Sequence, residues 1–372
     1  MVSGTEAGVT ETPGEWLEFA VDRPLTVAFA GVGVLLLGSL AWGLLVSGAV
    51  TFSRLGSLVW DGVMRGLVIG LAGVGLSMTY SILNFANFSH GDLMTTGAFG
   101  GWTVAYLIGG IGVADFGSRL LLNADGGAAA GALGMDMLHS PVAILIGLVM
   151  SAVITIGVAI AIDRLVYRRL RDADGITLLI ASVGVALTLR YLIALVYTQE
   201  ARGVVAATPF VNLPLIGRTN VHEATLVVLA VLLIIGVHVL LQYTKLGKSM
   251  RAMSDNRDLA LITGIPTERV ILATWAIGAG LAGIAGYLIV LDRSQIAINL
   301  GWFLLLLIFA AVILGGIGSI YGALAGALVI GLTINLSLIW IPSGLSKVAA
   351  FLLMILVLIF RPDGLFEGVR TA

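Results

Sequence analysis

The stretch Asn84-Phe85-Ala86-Asn87-Phe88-Ser89-His90-Gly91-Asp92 sets amide, hydroxyl, imidazole and carboxylate groups side by side between two apolar runs. At bilayer depth such groups are costly, at least about 2.5–3.5 kcal/mol for a central charge, so they face a cavity or a partner. One reading is a broken helix lining a transport path, with Asn87, His90, Gly91 and Asp92 on the path. The other is a short loop in which Asp92 caps a helix starting at Leu93 and satisfies its free N–H groups. The two are compatible. A second interruption, Gly315-Gly316-Ile317-Gly318-Ser319, lies in the other half of the chain. Breaks in both halves point to a site between them, which places Gly315 and Gly316 on the path. Small residues that let helices pack closely are the alternative. Arg190, well inside an apolar segment, needs a carboxylate, water or carbonyl partner and lines a pore or closes a structural pair. His238 reads as a packed or interfacial residue, and Lys347 as a snorkelling one.

The segment Leu246–Ile265 carries a third pattern. Asp255 followed by Asp258 resembles a capping box, so a short helix is expected to start near Asn256. Leu259, Ala260 and Ile262 give it an apolar patch beside Arg257, Gly264 is placed as a left-handed cap, and Pro266 prevents continuation. Such a helix fits a partner's groove or rests on lipid headgroups. No catalytic constellation accompanies these patterns: neither His-Glu-x-x-His, nor Gly-x-Ser-x-Gly, nor a Walker motif occurs.

The elements that carry these residues are set by composition. Of 372 residues, 59% are hydrophobic and only 11% charged, against roughly 45–50% and about 25% in soluble domains. Mean hydropathy is +1.06. So little charge cannot cover a water-facing surface of this size. A net charge of −1 leaves no footprint for nucleic acid, and the absence of cysteine excludes disulfides and thiolate metal sites. No metal site and no cofactor is expected. Charge-free runs such as Pro24–Ser53, Gly66–Gly91, Met137–Ile162 and the 53 residues Ser294–Ser346 exceed the roughly 20 that a crossing helix needs. They do not alternate as barrel strands would. The expected fold is an all-α membrane protein, a polytopic bundle of eight to ten transmembrane helices with broken helices.

Apolar segments fall near 24–50, 63–83, 92–111, 141–162, 176–198, 224–242, 270–291, 303–338 and 345–360. The eighth would extend about 54 Å as one helix, so two spans or a break at Gly315–Ser319 are expected. Basic residues mark cytoplasmic loops: Arg164, Arg168, Arg169 and Arg171 after the fourth segment, and Lys245, Lys248, Arg251, Arg257 and Arg269 after the sixth. Loops 199–223 and 292–302 then fall outside, and Arg361 returns inside if the eighth segment crosses twice. The stretch 112–140, with Asp115, Asp125 and Asp136, reads as a flexible exterior loop. The acidic first 22 residues do not open like a secretory signal, so the first apolar run is expected to be a retained helix. Two parts result: 1–57, a tail with an additional helix, and 58–367, the main transmembrane domain.

Four motifs in order resemble a known family. Asn87-Phe88-Ser89-His90-Gly91-Asp92, then Gly97-Ala98, is similar to the Asn-Phe-Ala-His-Gly-Glu signature of branched-chain amino acid ABC permeases of the LivH branch. Leu246–Ala252 through Gly264-Ile265 resembles that family's cytoplasmic coupling loop, spanning 246–268. Ala311–Ser319 with Gly322 and Gly326 resembles its late glycine-rich span, and Arg361-Pro362-Asp363-Gly364-Leu365-Phe366 its C-terminal end. Asp92 stands where glutamate is usual and Ser89 where alanine is. The resemblance implies the membrane subunit of an ATP-driven importer in the cell membrane, itself no enzyme. It further implies a paralogous second permease, two cytoplasmic ATPase subunits, an extracytoplasmic substrate-binding protein and an amino acid as substrate. Arg251, Asp255, Asn256, Arg257, Ala260 and Gly264 would then couple to the ATPases. Urea and short-amide permeases, secondary transporters, and an intramembrane enzyme are the alternative readings.

Overall fold

The computed structural model describes residues 34–48, 50–114, 120, 130, 131, 133–171, 173–213 and 217–366. The acidic tail, Asp115 and Asp125 lie outside them. The chain divides into two compact units, Met1–Leu55 and Gly56–Ala372. In the first, α1 (Val34–Ser47) is the described part of the additional apolar segment, and its last turn widens into a π-helix over Gly43–Ser47. Gly48 ends it with φ +65°, and the Val50 N–H returns to the Gly43 carbonyl at 3.2 Å.

The second unit holds α2 (Phe52–Leu83, apart from its first turn), α3 (Ser89–Gly109), α4 (Pro141–Leu165), α5 (Gly175–Tyr197) and α6 (Val221–Tyr243). After these come α7 (Lys245–Asp255), α8 (Arg257–Ile262), α9 (Thr267–Arg293), α10 (Leu300–Gly315), α11 (Ile320–Leu336) and α12 (Ser346–Phe360). Seven helical stretches are long and apolar enough to cross a membrane among the described residues. The most apolar windows of α2 and α9 are 89% and 83% buried, those of α5 and α6 22% each and that of α12 only 11%. Layers follow from these values: α2 and α9 form the centre, and α5, α6 and α12 turn apolar side chains outward, as lipid requires. The buried α3 and α10 complete the interior.

The apolar stretch 303–338 is two helices, and the first begins earlier, at Leu300. A Cβ added at Gly315 would overlap the Gly322 carbonyl and one at Gly326 the Ala311 carbonyl, so α10 and α11 run antiparallel with their backbones touching. Gly316 and Gly318, at φ +103° and +86°, make the turn that side chains resist. The C-terminal Arg361–Phe366 segment packs against it, with the Leu365 N–H on the Leu314 carbonyl at 2.9 Å.

Loops gather at two ends. At one, Arg171 bonds Glu268, and the Ser81 hydroxyl donates to the Gly318 carbonyl at 3.0 Å. This is the end rich in Arg and Lys, the one expected to be cytoplasmic. At the other, strand β1 (Arg202–Gly203) pairs with β4 (Gln295–Ile296), and β2 (Val211–Leu213) pairs with β3 (Gly217–Thr219). The Ala206 N–H reaches the Met135 carbonyl at 2.9 Å. Here the expectation of a flexible loop over 112–140 is corrected for its last part. Met135 is fully buried, and the Asp136 carboxylate accepts from the Leu138 N–H at 2.7 Å, folding the turn before α4.

Gly301, at the start of α10, lies against Gly91 so closely that a Cβ there would overlap the Gly91 carbonyl. Gly301→Ala is therefore expected to cost about 1–3 kcal/mol and to lower the melting temperature of the detergent-solubilised protein. Gly236→Ala on α6, with nothing within 4 Å, should leave it unchanged or raise it. Equal melting of the two variants would count against this packing.

Candidate functional site

The break after α2 starts at Asn84, whose φ of +54° turns the chain back. Residues 84–88 then run without helix until α3 opens at Ser89. That opening is capped by the side chain of Asn87, whose Oδ1 accepts from the Ser89 N–H at 3.0 Å and from the Ser89 hydroxyl at 2.6 Å. Asp92 is thus not the cap of a helix beginning at Leu93; it sits one turn inside α3, and its carboxylate is occupied elsewhere. Arg190 donates Nε to Oδ1 at 3.0 Å and Nη2 to Oδ2 at 2.9 Å, a bidentate pair across ninety-eight residues of sequence. The Asp92 side chain is fully buried and that of Arg190 12% exposed. The guanidinium lies 4.4 Å over the Trp302 ring, which covers it from α10. Arg190 is fifteen residues from one end of α5 and seven from the other, about 22 and 10 Å along the helix, so the pair sits inside the bundle.

His90 fixes the level of α3. Its Nε2 donates to the Ala72 carbonyl at 2.9 Å. Ala72 is eleven residues short of the end of α2, so α3 begins about 16 Å in from that end. Gly91 meets Gly301, and Thr95 Oγ1 accepts the otherwise free Gly301 N–H at 3.1 Å. Two helix starts, α3 and α10, thus abut inside the bundle and direct their positive dipole ends to one region. Asn87, His90, Gly91, Asp92 and Arg190 are brought together. Gly315 and Gly316 are not: they lie at the far end of α10, about 21 Å from Gly301, where they form the hairpin turn.

Tyr167 also belongs to this cluster. It lies in a 3-10 turn (Tyr167–Leu170) after α4 and is 2% exposed. Its hydroxyl is 3.0 Å from Ser89 Oγ and 3.4 Å from Asn87 Oδ1. Its ring stacks on Trp275 of α9, with centroids 5.1 Å apart and 12° between planes. Tyr167, Trp302 and Thr95 carry no motif and are absent from a reading of local spacing. The signal available was an aromatic residue inside a polybasic loop.

At the basic end of the bundle the segment Leu246–Ile265 holds two helices, α7 and α8. The expected start near Asn256 holds for α8, but the cap is Asn256 itself, whose Oδ1 accepts from the Leu259 N–H at 2.9 Å. Asp255 ends α7 and is not the capping residue. Gly264, at φ +84°, closes α8 while the Ile265 N–H returns to the Ala260 carbonyl at 3.0 Å. Ala260 is buried, and Leu259, Leu261 and Ile262 stand outward, Ile262 80% exposed. Arg257 is exposed, whereas Arg251 is tied back to the Leu241 carbonyl at 2.7 Å. Beside them Arg171 bonds both oxygens of Asp163, at 3.2 and 3.0 Å, and also Glu268. Burial works against its charge, but Glu268 and Asp163 outweigh that and hold its pKa above the ordinary value. Elsewhere His238 bonds Tyr321, and Lys347 lies 5.6 Å from the centre of the Phe303 ring. No group of three or more possible metal ligands occurs among the described residues.

Residues 58–358 match the family described as branched-chain amino acid transport system, permease component. The chain is similar to the high-affinity branched-chain amino acid permease LivH of Escherichia coli, 27% identical over 314 residues, covering 82% of this chain and 94% of that one. It is 28% identical over 345 residues to the probable LivH of Methanocaldococcus jannaschii, covering 89% and 94%. A galactofuranose transporter permease, YtfT of Escherichia coli, is 31% identical over 159 residues, covering 40% and 46%. No solved structure matches.

Breaking the interior ion pair leaves one charge without a partner. Asp92→Asn or Arg190→Gln is each expected to cost about 3–5 kcal/mol. The double variant should cost less than the sum, because neither charge is then left alone. Thermal unfolding of the four proteins in detergent checks this; additive losses would show that the two side chains act independently.

Proposed function

The chain belongs to the family of branched-chain amino acid transport system permease components, and from that premise we propose that it forms the membrane path of an ATP-driven importer for branched-chain amino acids. The family is one of transporter components, not itself of enzymes, and the chain is a multi-pass protein of the cell membrane. It works with two cytoplasmic ATPase subunits, a second, paralogous permease and an extracytoplasmic substrate-binding protein. No nucleic acid takes part.

Asn87, His90, Gly91, Asp92 and Arg190 line the path where the helix starts of α3 and α10 meet. The observation that carries this reading is the Asp92–Arg190 pair: a carboxylate and a guanidinium fixed side by side present the charges of a zwitterionic amino acid in reverse. The substrate's ammonium exchanges for Arg190 on Asp92, and its carboxylate for Asp92 on Arg190, so the site remains neutral whether occupied or empty. That neutrality keeps the electrostatic cost of passage low at membrane depth. Gly315 and Gly316 act as the hinge of the α10–α11 hairpin rather than as lining.

The α8 segment is the contact with the ATPase. Leu259, Leu261 and Ile262 supply apolar side chains for a groove, and Arg257 a charge at its edge. Asn256, Ala260 and Gly264 hold the helix in shape, with Asp255 just before it, and Arg251 anchors α7 to α6. ATP-driven movement of the ATPases displaces α8, and the bundle alternates between outward and inward openings. The segment must therefore bind the ATPase differently in the two states.

Uptake of labelled leucine and labelled urea by proteoliposomes holding the complete transporter, with and without internal ATP, tests the reading. ATP-dependent leucine uptake is expected; ATP-dependent uptake of urea alone would replace the substrate, and uptake indifferent to ATP would overturn the mechanism. In the same vesicles Arg257→Glu combined with Gly264→Leu should cut uptake at least tenfold while the ATPases still hydrolyse. Normal uptake by that variant would remove α8 from the coupling.

A further inference from the structure

The turn between α4 and α5 touches both ends of the transport cycle. Tyr167, at its start, reaches inward to Ser89 and Asn87 and is clamped between Phe85 and Trp275. Arg171, four residues on, reaches the other way, to Asp163 at the end of α4 and to Glu268 in the first turn of α9. Glu268 follows the coupling segment directly, two residues after Pro266, which ends the α8 turn. Arg257 of α8 lines the same crevice as Tyr167, Arg171 and Asp163, an empty space of about 330 Å³ including its mouth. A 3-10 turn packed through Tyr167 against Phe85 and Trp275 therefore lies between the proposed coupling segment and Asn87.

The two halves of the Arg171 contact differ in kind. Asp163 is 1% exposed and Arg171 11%, so their bond is shielded from water and held. Glu268 is 53% exposed, so its bond exchanges readily with solvent. A rearrangement that parts Arg171 from Glu268 leaves the Asp163 anchor intact, which is the behaviour of a latch with one fixed and one releasable side. The cluster behind the latch is also incompletely satisfied. Asn87 Nδ2, Trp275 Nε1 and Arg171 Nε are buried donors with no hydrogen-bond partner among the described residues, so donors are at hand for a second arrangement of the cluster.

We propose that Arg171 is a positioning residue of the transporter: bonded to Glu268 it holds Tyr167 against Asn87 and Ser89, and displacement of α8 releases it, freeing the start of α3. The proposal rests on the importer reading given above. It makes the turn 163–171 a second line of coupling beside α8, acting on the path without touching substrate.

The test is made in proteoliposomes holding the complete transporter, by measuring leucine uptake and ATP hydrolysis together. Glu268→Gln, at an exposed position, keeps the fold and breaks the latch; Tyr167→Phe keeps the ring packing and removes the hydroxyl. Each is expected to lower leucine carried per ATP hydrolysed at least fivefold, with melting temperature unchanged for Glu268→Gln and lowered for Tyr167→Phe only as far as the loss of its buried hydrogen bonds requires, and Glu268→Asp should recover most of the ratio. A merely structural role for Arg171 would change melting and total activity but not the ratio. If wild-type vesicles carry leucine with ATP and Glu268→Gln and Tyr167→Phe both keep the ratio within twofold, the latch is overturned and the importer reading stands. If wild-type vesicles show no ATP-dependent leucine uptake, that reading fails and the latch falls with it.

Discussion

An ion pair that lipid cannot solvate constrains most of this structure. Asp92 and Arg190 lie on different helices, inside the bundle, and each is tolerable there only because the other is within bonding distance. To bring Asp92 to that level, α3 must start inside the bundle rather than at the membrane edge. The connection 84–88 must then run back without helix, and its polar backbone needs partners where no water is at hand. Asn87, His90 and Ser182 serve that need: Asn87 caps α3, His90 bonds the Ala72 carbonyl, and the Ser182 hydroxyl accepts from the Phe88 N–H at 3.0 Å. The residues that look like a chemical motif are thus also those that make an interior helix start affordable.

The same constraint reaches α10. A side chain from that helix must roof the guanidinium, and Trp302 can do so only if α10 also begins inside, against α3. Backbone contact at that depth penalises any Cβ at 301, which would overlap the Gly91 carbonyl. Sixteen residues are then enough for α10 to reach the basic end, where it reverses into α11. No charge in the stretch 303–338 marks where one helix stops and the next starts; its length and the run Gly315–Ser319 point to the break, and the structure makes the turn with positive φ at Gly316 and Gly318.

What the chain discloses without its fold divides along this line. Crossing segments, the grouping of loops by basic residues and the left-handed cap at Gly264 all rest on local or near-local rules, and the structure displays them. Asp92 shows the limit: its place before an apolar run satisfies the capping rule, yet a bidentate partner ninety-eight residues away takes its carboxylate, and Asn87 takes over the cap. At 255–256 two neighbouring residues could both cap, and the choice falls to Asn256 because α7 extends through Asp255. Met135 is hidden in a glycine- and alanine-rich stretch that looks loose, because its burial depends on the returning strand segment at 204–206. Tyr167 has no local signature at all; its role comes from lying where α2, α3, α4 and α9 converge.

The two charged contacts at the basic end and in the interior of the bundle are built for different tasks. Breaking the interior pair strands a charge in a low-dielectric setting, so it resists change unless something of matching charge replaces a partner. The Arg171–Glu268 contact faces water on one side, so parting it leaves both groups solvated at little cost. In the importer proposed above, this order of strengths lets the contact nearest the ATPases yield first, while the pair on the proposed path yields only to an occupant that reproduces its charges. Had the burial been reversed, motion of the proposed coupling segment would be resisted at the surface, and the path would open to water and ions without substrate. On that reading the exposure of Glu268 and the burial of Asp92 are parts of one arrangement: release is easy where energy enters and selective where cargo passes.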